Sequence, residues 1–117
     1  TYFIEVTFPE RPILRDVVAG RDSNCIHRDF KTYGKYCYGV ADEGKCSLQI
    51  FDLSYLRDSV HLVFDSDTLT RLSPNIFISN GEAFLDNNFH KDWGRIPMTI
   101  LTIKENPVDP SAVAHLG

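Results

Sequence analysis

The sequence predicts a mainly β protein: an antiparallel β-sandwich or partly open barrel of about eight short strands with one or two short helical turns. Short runs alternate apolar and polar residues, as TYFIEVTF does at the N-terminus. Gly, Pro and Asn residues separate these runs at short intervals. No βαβ alternation is present. An α+β fold, with one short helix on a curved antiparallel sheet, is the alternative.

Length and composition predict one globular unit. The chain has 117 residues, of which 43% are hydrophobic and 24% charged, the proportions of an ordinary folded domain. We assign residues 1–105 to a single β-rich domain and residues 106–117 to a C-terminal tail. The net charge of −4 argues against DNA binding, which needs a concentrated basic surface. No apolar run is long enough to span a membrane.

The first strand is predicted over residues 1–8. Its even-numbered residues share one apolar side, and its odd-numbered ones are mostly polar, which is typical of a half-buried strand. Pro9 and Pro12 end it. A second short strand is expected over residues 13–18.

The central hairpin is predicted over residues 34–53, with a tight turn at Asp42-Glu43-Gly44. Gly suits the left-handed last position of a three-residue hairpin loop. Opposed residues share a face of the sheet. The turn pairs residues that form one apolar or amphipathic face: Val40 with Cys46, Tyr38 with Leu48, and Tyr36 with Ile50.

Residues 74–105 predict a second hairpin and a further strand. Asn80-Gly81 favours a type I′ turn that pairs Ile78 with Ala83, Phe77 with Phe84, and Ile76 with Leu85. Residues 86–95 are expected to form a polar loop. The strand after Pro97 is apolar on both faces, which suits burial on both sides. Short helical turns are expected at Leu53–Ser59 and Asp67–Leu72.

The three cysteines are Cys25, Cys37 and Cys46. An odd number leaves at least one thiol outside any intramolecular bond. In the predicted hairpin, Cys37 points away from the face that carries Cys46, so a bridge between them would break the register. Any disulfide should therefore include Cys25, with Cys46 or Cys37 as its partner. The alternative is three reduced, buried thiols.

The main candidate for ligand or partner binding is the polar segment around Asn80–Arg95. Within it, Trp93 suits stacking on a sugar ring or insertion into a partner's pocket, and the side chains of Asn87, Asn88 and Asp92 offer hydrogen bonds. The alternative interpretation is that Trp93 folds back over the core.

A calcium site is a second candidate. Asp65 and Asp67 follow one predicted strand, and Asp86 follows another. Calcium takes six to eight oxygen ligands, which two acidic loops at one end of a sandwich can supply. The alternative is that these residues only cap turns.

No catalytic or cofactor-binding signature is present, so no cofactor is expected. The candidates for acid–base chemistry are His61, Glu82 and His90, residue types that small hydrolases use on RNA or glycans. His61 lies in mid-strand, where a solvent-facing histidine needs no functional explanation.

These observations favour a small, secreted, non-catalytic module that binds another protein or a glycan through its end loops and sheet surface. In general style, size and cysteine content the chain resembles secreted microbial effectors. A small acid–base hydrolase, of RNase or glycosidase type, and a carbohydrate- or calcium-dependent binding domain are the alternatives. A cytoplasmic location is the alternative to secretion.

Overall fold

The structure is a computed structural model that describes residues 1–117. It contains ten β-strands and no helix, which confirms the mainly β prediction. The strands are β1 (Tyr2–Glu5), β2 (Ile13–Val17), β3 (Ile26–Tyr33), β4 (Tyr36–Glu43), β5 (Leu48–Asp52), β6 (His61–Ser66), β7 (Asn75–Ser79), β8 (Glu82–His90), β9 (Gly94–Thr102) and β10 (Ser111–Leu116). The short helical turns predicted at Leu53–Ser59 and Asp67–Leu72 do not form; both segments are irregular turns.

The strands form three antiparallel sheets. The N-terminal layer is β1–β2, the middle sheet is ordered β3–β4–β5–β6, and the C-terminal sheet is ordered β10–β9–β8–β7. The middle and C-terminal sheets form a sandwich around the main core. That core comprises Tyr38, Val40, Leu48, Ile50, Ile76, Ala83, Leu85, Leu101 and Ile103.

The N-terminal layer covers the opposite face of the middle sheet. There Cys37, Phe51 and Val60 form a second buried cluster, against which Phe3 and Val18 pack. In β5, Leu48 and Ile50 consequently face the main core and Phe51 faces the second cluster. All five residues of the strand are buried. The strand after Pro97 was expected to be buried on both faces. This is wrong, because β9 alternates between buried and more accessible positions, and β5 is the doubly covered strand.

The central hairpin forms in a register that differs from the prediction by two residues. Tyr38 pairs with Ile50, not Leu48, and Tyr36 pairs with Asp52. The ladder ends at Gly39 and Gln49. A shift of two residues leaves each side chain on the same side of the sheet. The predicted apolar face is therefore present as far as Gly39 and Gln49, although the predicted residue pairs were wrong.

The connection after β4 departs from a tight three-residue turn because it is drawn toward residues 22–25. A disulfide joins Cys46 to Cys25, and the Lys45 N–H donates to Asp22 Oδ2 at 3.2 Å. Gly44 has a φ of 102°, and a Cβ there would overlap the Asn24 carbonyl. These contacts place Cys46 in a separate small cluster, away from the predicted face.

The Asn80-Gly81 hairpin has the predicted register. Ile78, Phe77 and Ile76 pair with Ala83, Phe84 and Leu85, respectively. Both turn residues have positive φ, 52° and 73°, as a type I′ turn requires.

The C-terminal third is more regular than predicted. The expected polar loop at residues 86–95 is mostly strand, because β8 runs to His90 and β9 begins at Gly94. The segment expected as a tail contains β10, which pairs with β9 at the edge of the sheet. Its approach is held by the Tyr38 hydroxyl, which donates to the Pro107 carbonyl at 2.7 Å.

Candidate functional site

The outer face of the N-terminal layer carries a cluster of exposed apolar side chains. Tyr2 lies opposite Val17 and Ile4 opposite Leu14, so these four side chains share one face. They are 49–70% exposed. Large apolar residues elsewhere in residues 1–17 are also exposed: Val6, Phe8 and Ile13. The predicted alternation is confirmed over Tyr2–Glu5, but β1 ends there and not at residue 8. Its apolar side faces solvent, and its other side faces the core.

The inner side of this layer is firmly attached to the middle sheet. The Phe3 ring meets the buried Phe51 ring edge-on, with centroids 5.1 Å apart. The Val60 N–H donates to Asp16 Oδ2 at 2.7 Å. This bond, followed by one from the Val17 N–H, lowers the pKa of the Asp16 carboxyl. The outer face is therefore held in place from beneath.

An ionic network lies beside the exposed face. Glu5 accepts a hydrogen bond from the Thr7 hydroxyl at 2.8 Å and forms ion pairs with Arg15 at 2.9 Å and Arg57 at 3.2 Å. The Thr7 bond and then the Arg15 bond lower the pKa of the Glu5 carboxyl. Two guanidinium groups share one carboxylate, so this end of the surface carries a local excess of positive charge.

A groove of about 530 Å³ runs along the same layer. One wall is the consecutive stretch Tyr2–Glu5, continued by Thr7. The opposite wall is the turn after β5, with Leu53, Leu56 and Arg57. Because consecutive strand residues point to alternate faces, a groove lined by all four residues of β1 follows the edge of that strand.

Trp93 lies at the tip of the β8–β9 hairpin and is 64% exposed. One face of its indole stacks on the His90 ring, with centroids 4.2 Å apart and planes inclined by 12°. The ring of His115, in β10, meets Trp93 edge-on at 5.1 Å. Trp93 is thus not a plug over the core, and the indole face opposite His90 is available to a ligand.

The polar residues around Trp93 divide between support and surface. Asn88 is fully buried; its side-chain amide donates to the Leu69 carbonyl at 3.1 Å and to Thr99 Oγ1 at 2.9 Å. Thr99 Oγ1 lies 2.9 Å from His115 Nδ1. Asn88 therefore supports the cluster from below and cannot itself contact a partner.

Asn87 and Asp92, the other two predicted contact residues, are exposed. The Asp92 N–H donates to His90 Nδ1 at 3.1 Å, which fixes the ring beneath Trp93. Asn87 has a φ of 47°, and its carbonyl accepts from Arg95 at 2.6 Å. Both side chains are therefore accessible to a partner.

The candidate acid–base residues are dispersed. Glu82 and His90 occupy opposite ends of β8, which at ~3.3 Å per residue places them roughly 26 Å apart. His61 begins β6 in the other sheet of the sandwich, where its ring stacks on Tyr55 at 4.0 Å. Proton transfer within one site needs hydrogen-bond reach, which these three residues do not share.

The candidate calcium ligands are engaged elsewhere. Asp65 pairs with Arg21 at 3.1 Å, and Asp67 pairs with Arg21 at 3.4 Å and Lys91 at 3.5 Å. Asp86 lies in β8 of the C-terminal sheet, beside Asn75. No group of three or more His, Cys, Asp or Glu side chains is arranged to hold a metal ion.

A second groove, of about 720 Å³, lies near the disulfide. Four cationic side chains line it with two carboxylates: Arg21, Lys45, Arg71, Lys91, Asp22 and Asp67. The ion pairs of Arg21 and Lys91 with Asp67 already neutralise part of this charge. The groove is therefore only weakly cationic.

The cysteines occupy two environments. Cys25 is bonded to Cys46. Cys37 is a free thiol buried under the N-terminal layer, and this burial raises its pKa to about 11. A thiol that stays protonated at neutral pH is a poor nucleophile, so Cys37 acts as a packing residue.

Sequence reasoning did not select the surface of the N-terminal layer. The sequence feature that could have indicated it is the apolar content of residues 13–17, which is similar to that of the first strand. Together the two strands have more apolar side chains than one buried face can hold. No protein-family model matches the sequence, and no curated protein is significantly similar to it. The structure contains no helix that could cross a membrane.

Proposed function

We propose that this protein is a non-catalytic binding module that docks a protein partner through the outer face of its N-terminal layer. The observation that carries the proposal is the concentration of exposed apolar side chains on β1–β2, centred on Tyr2, Ile4, Leu14 and Val17. The largest apolar patch of a typical monomer covers about 300–600 Å² and is often functional. Within residues 1–17, seven large apolar side chains are 42–70% exposed, and four of them share one face of the layer.

The arrangement suits association with a protein. Aromatic and aliphatic anchors at the centre of an interface contribute most of its binding energy, and charged residues lie at the rim. Here Tyr2 and Ile4 supply the anchors, whereas Arg15 and Arg57 stand at one side. Because Phe3 and Asp16 hold the layer from below, little ordering entropy opposes docking.

Secretion is part of the proposal. The Cys25–Cys46 disulfide supports an oxidising compartment, since such bonds are rare where thiols are kept reduced. The test is retention of the bond when the protein is isolated from its natural compartment with free thiols blocked.

Leu14→Asp tests the docking surface directly, with Phe77→Asp as its matched control. Phe77 is 61% exposed on β7, in the C-terminal sheet, so both variants place one carboxylate on an exposed apolar position. The partner is first recovered from the natural source and purified, and its affinity for each variant is then measured by calorimetry. Leu14→Asp should weaken binding at least about tenfold, the effect of ~1.4 kcal/mol at an interface anchor, and Phe77→Asp should leave it unchanged.

Equal affinities of the two variants would remove β1–β2 as the docking surface. Sedimentation of the wild-type protein alone tests whether the surface binds a second copy of this chain in place of a different protein. A concentration-dependent dimer that Leu14→Asp dissociates would replace the partner with self-association.

Glycan binding at Trp93 is a second candidate function. It is favoured by the exposed indole, which stacks on His90 on one side only and so offers a flat platform to a sugar ring. We expect the wild-type protein to bind glycans on an array. Trp93→Ala should abolish this binding, and Phe77→Ala should leave it unchanged. Unchanged array binding in Trp93→Ala excludes this site.

A further inference from the structure

The backbone of β1 has one occupied edge and one free edge. Thr1 and Val18 exchange both of their backbone hydrogen bonds, so they form a hydrogen-bonded pair of the antiparallel ladder. Backbone groups alternate in direction along a strand. The N–H and C=O of Tyr2 and of Ile4 therefore point away from β2. No third strand pairs with this sheet, so these groups lie on the free edge of β1, and all four residues of β1 line the groove.

The groove has the form that an added strand requires. Its near wall is the edge of β1, and its far wall carries Leu53 and Leu56 from the turn after β5. A neighbouring strand lies ~4.8 Å from the one it pairs with, and successive side chains alternate between two faces. Pairing along Tyr2–Glu5 would place alternate side chains of the incoming segment beside Leu53 and Leu56.

We infer that the groove binds an extended segment of the partner by strand addition to β1, and that this segment combines alternating apolar residues with a carboxylate. This deepens the proposed function and rests on it. Main-chain hydrogen bonds to Tyr2 and Ile4 supply register, and side-chain contacts in the groove supply specificity. Free edges of this kind are avoided or blocked in most proteins that do not use them.

The carboxylate follows from charge complementarity at the end of the groove. Glu5 is shared by Arg15 and Arg57, which leaves one positive charge uncompensated among the three. The Arg57 side chain is 68% exposed and can turn toward a ligand. An acidic residue of the added strand fits this end, and a basic residue there meets repulsion.

Two fluorescein-labelled heptapeptides, TVTVTVD and TVTVTVK, serve as probes in fluorescence anisotropy. The acidic peptide should bind, and the basic one should bind about fivefold more weakly, the scale of an exposed charge pair turned from attraction to repulsion. Arg57→Ala should remove most of this difference. Equal affinity of the two peptides for the wild-type protein contradicts the charge assignment.

Ile4→Pro, compared with Ile4→Ala, separates the backbone from the side chain. Pro is tolerated at an edge where the lost N–H faces solvent, so both variants should fold, but only Ile4→Pro removes a donor to the added strand. Ile4→Pro should abolish peptide binding, whereas Ile4→Ala, which loses an anchor contact but keeps the N–H, should weaken it by about tenfold. Binding that survives Ile4→Pro overturns strand addition.

Amide hydrogen exchange in the wild-type protein gives an independent result that does not depend on variant folding. Saturating TVTVTVD should slow exchange at Tyr2 and Ile4 and leave Phe3, whose N–H faces β2, unaffected. No change at either amide overturns the inference. If the purified partner still loses affinity with Leu14→Asp, the proposed function stands and only the mode of docking is wrong.

Discussion

Phe51→Ala tests the conclusion that β5 is covered on both faces. Phe51 is fully buried, and it lies between the middle sheet and the N-terminal layer, against Phe3, Cys37 and Val60. Truncation of a buried Phe to Ala costs about 3–5 kcal/mol through lost burial and the cavity that remains. That is a large part of the roughly 5–15 kcal/mol that stabilises a domain of this size.

The expected shift in melting temperature follows from chain length. At ~2.1 cal/mol/K per residue, 117 residues have an unfolding entropy of about 0.25 kcal/mol/K, so a loss of ~4 kcal/mol lowers Tm by about 16 °C. Phe77→Ala is the matched control, because the same truncation at a 61% exposed position should cost less than ~0.5 kcal/mol. Thermal unfolding of the purified variants measures the shift in Tm. Urea unfolding measures the loss of unfolding free energy in Phe51→Ala and in Phe77→Ala.

A double-mutant cycle tests whether the stability lost in Phe51→Ala comes from contact with the N-terminal layer. Phe3→Ala and Phe51→Ala should show a coupling energy of about 0.5–1.5 kcal/mol, the value of an edge-to-face aromatic pair. If the two substitutions are additive, or if Phe51→Ala costs no more than Phe77→Ala, then the N-terminal layer does not pack on β5 as described.

Three further predictions concern the links between layers. Replacing both Cys25 and Cys46 by Ser should lower the unfolding free energy by about 3 kcal/mol, because the bond closes a loop of 21 residues; calorimetry under oxidising conditions measures this, and a loss below ~1 kcal/mol contradicts it. The pKa of Asp16 is lowered in the folded state, so its bond to the Val60 N–H stabilises the protein above the ordinary carboxyl pKa of ~3.9 and is lost as pH falls toward the folded value. The stability difference between the wild type and Asp16→Asn should therefore shrink below about pH 4, and a difference that grows on acidification refutes this assignment. Tyr38→Phe should cost about 0.5–1.5 kcal/mol, because the partly buried hydrogen bond from the Tyr38 hydroxyl to the Pro107 carbonyl is lost; an unchanged urea midpoint shows that the hydroxyl contributes nothing.

Local turn chemistry accounts for the parts of the fold that the sequence predicted well. Asn80-Gly81 dictates both the turn and the register of β7–β8, because few other dipeptides adopt two successive positive φ values at low cost. The alternation of TYFIEVTF likewise places Phe3 and Ile4 on opposite faces of β1. Both features depend only on neighbouring residues, so the sequence alone determines them.

Long-range contacts decided the remainder. The register of β4–β5 follows Cys25 and Asp22, more than 20 residues away along the chain, and no local rule anticipates their pull on Cys46. The polar segment at residues 86–95 became strand because β9 offered partners for its backbone groups, and main-chain pairing outweighed its weak strand propensity.

The candidate site shows the same division. The sequence by itself determined that β1 has an apolar side and that Trp93 lies in a polar segment. Only the tertiary structure decided which side of β1 faces the core: Phe3 fills the space above Phe51, so Tyr2 and Ile4 are left in solvent. Hydrophobicity alone cannot distinguish a buried face from a docking face, because burial of apolar area stabilises both in the same way.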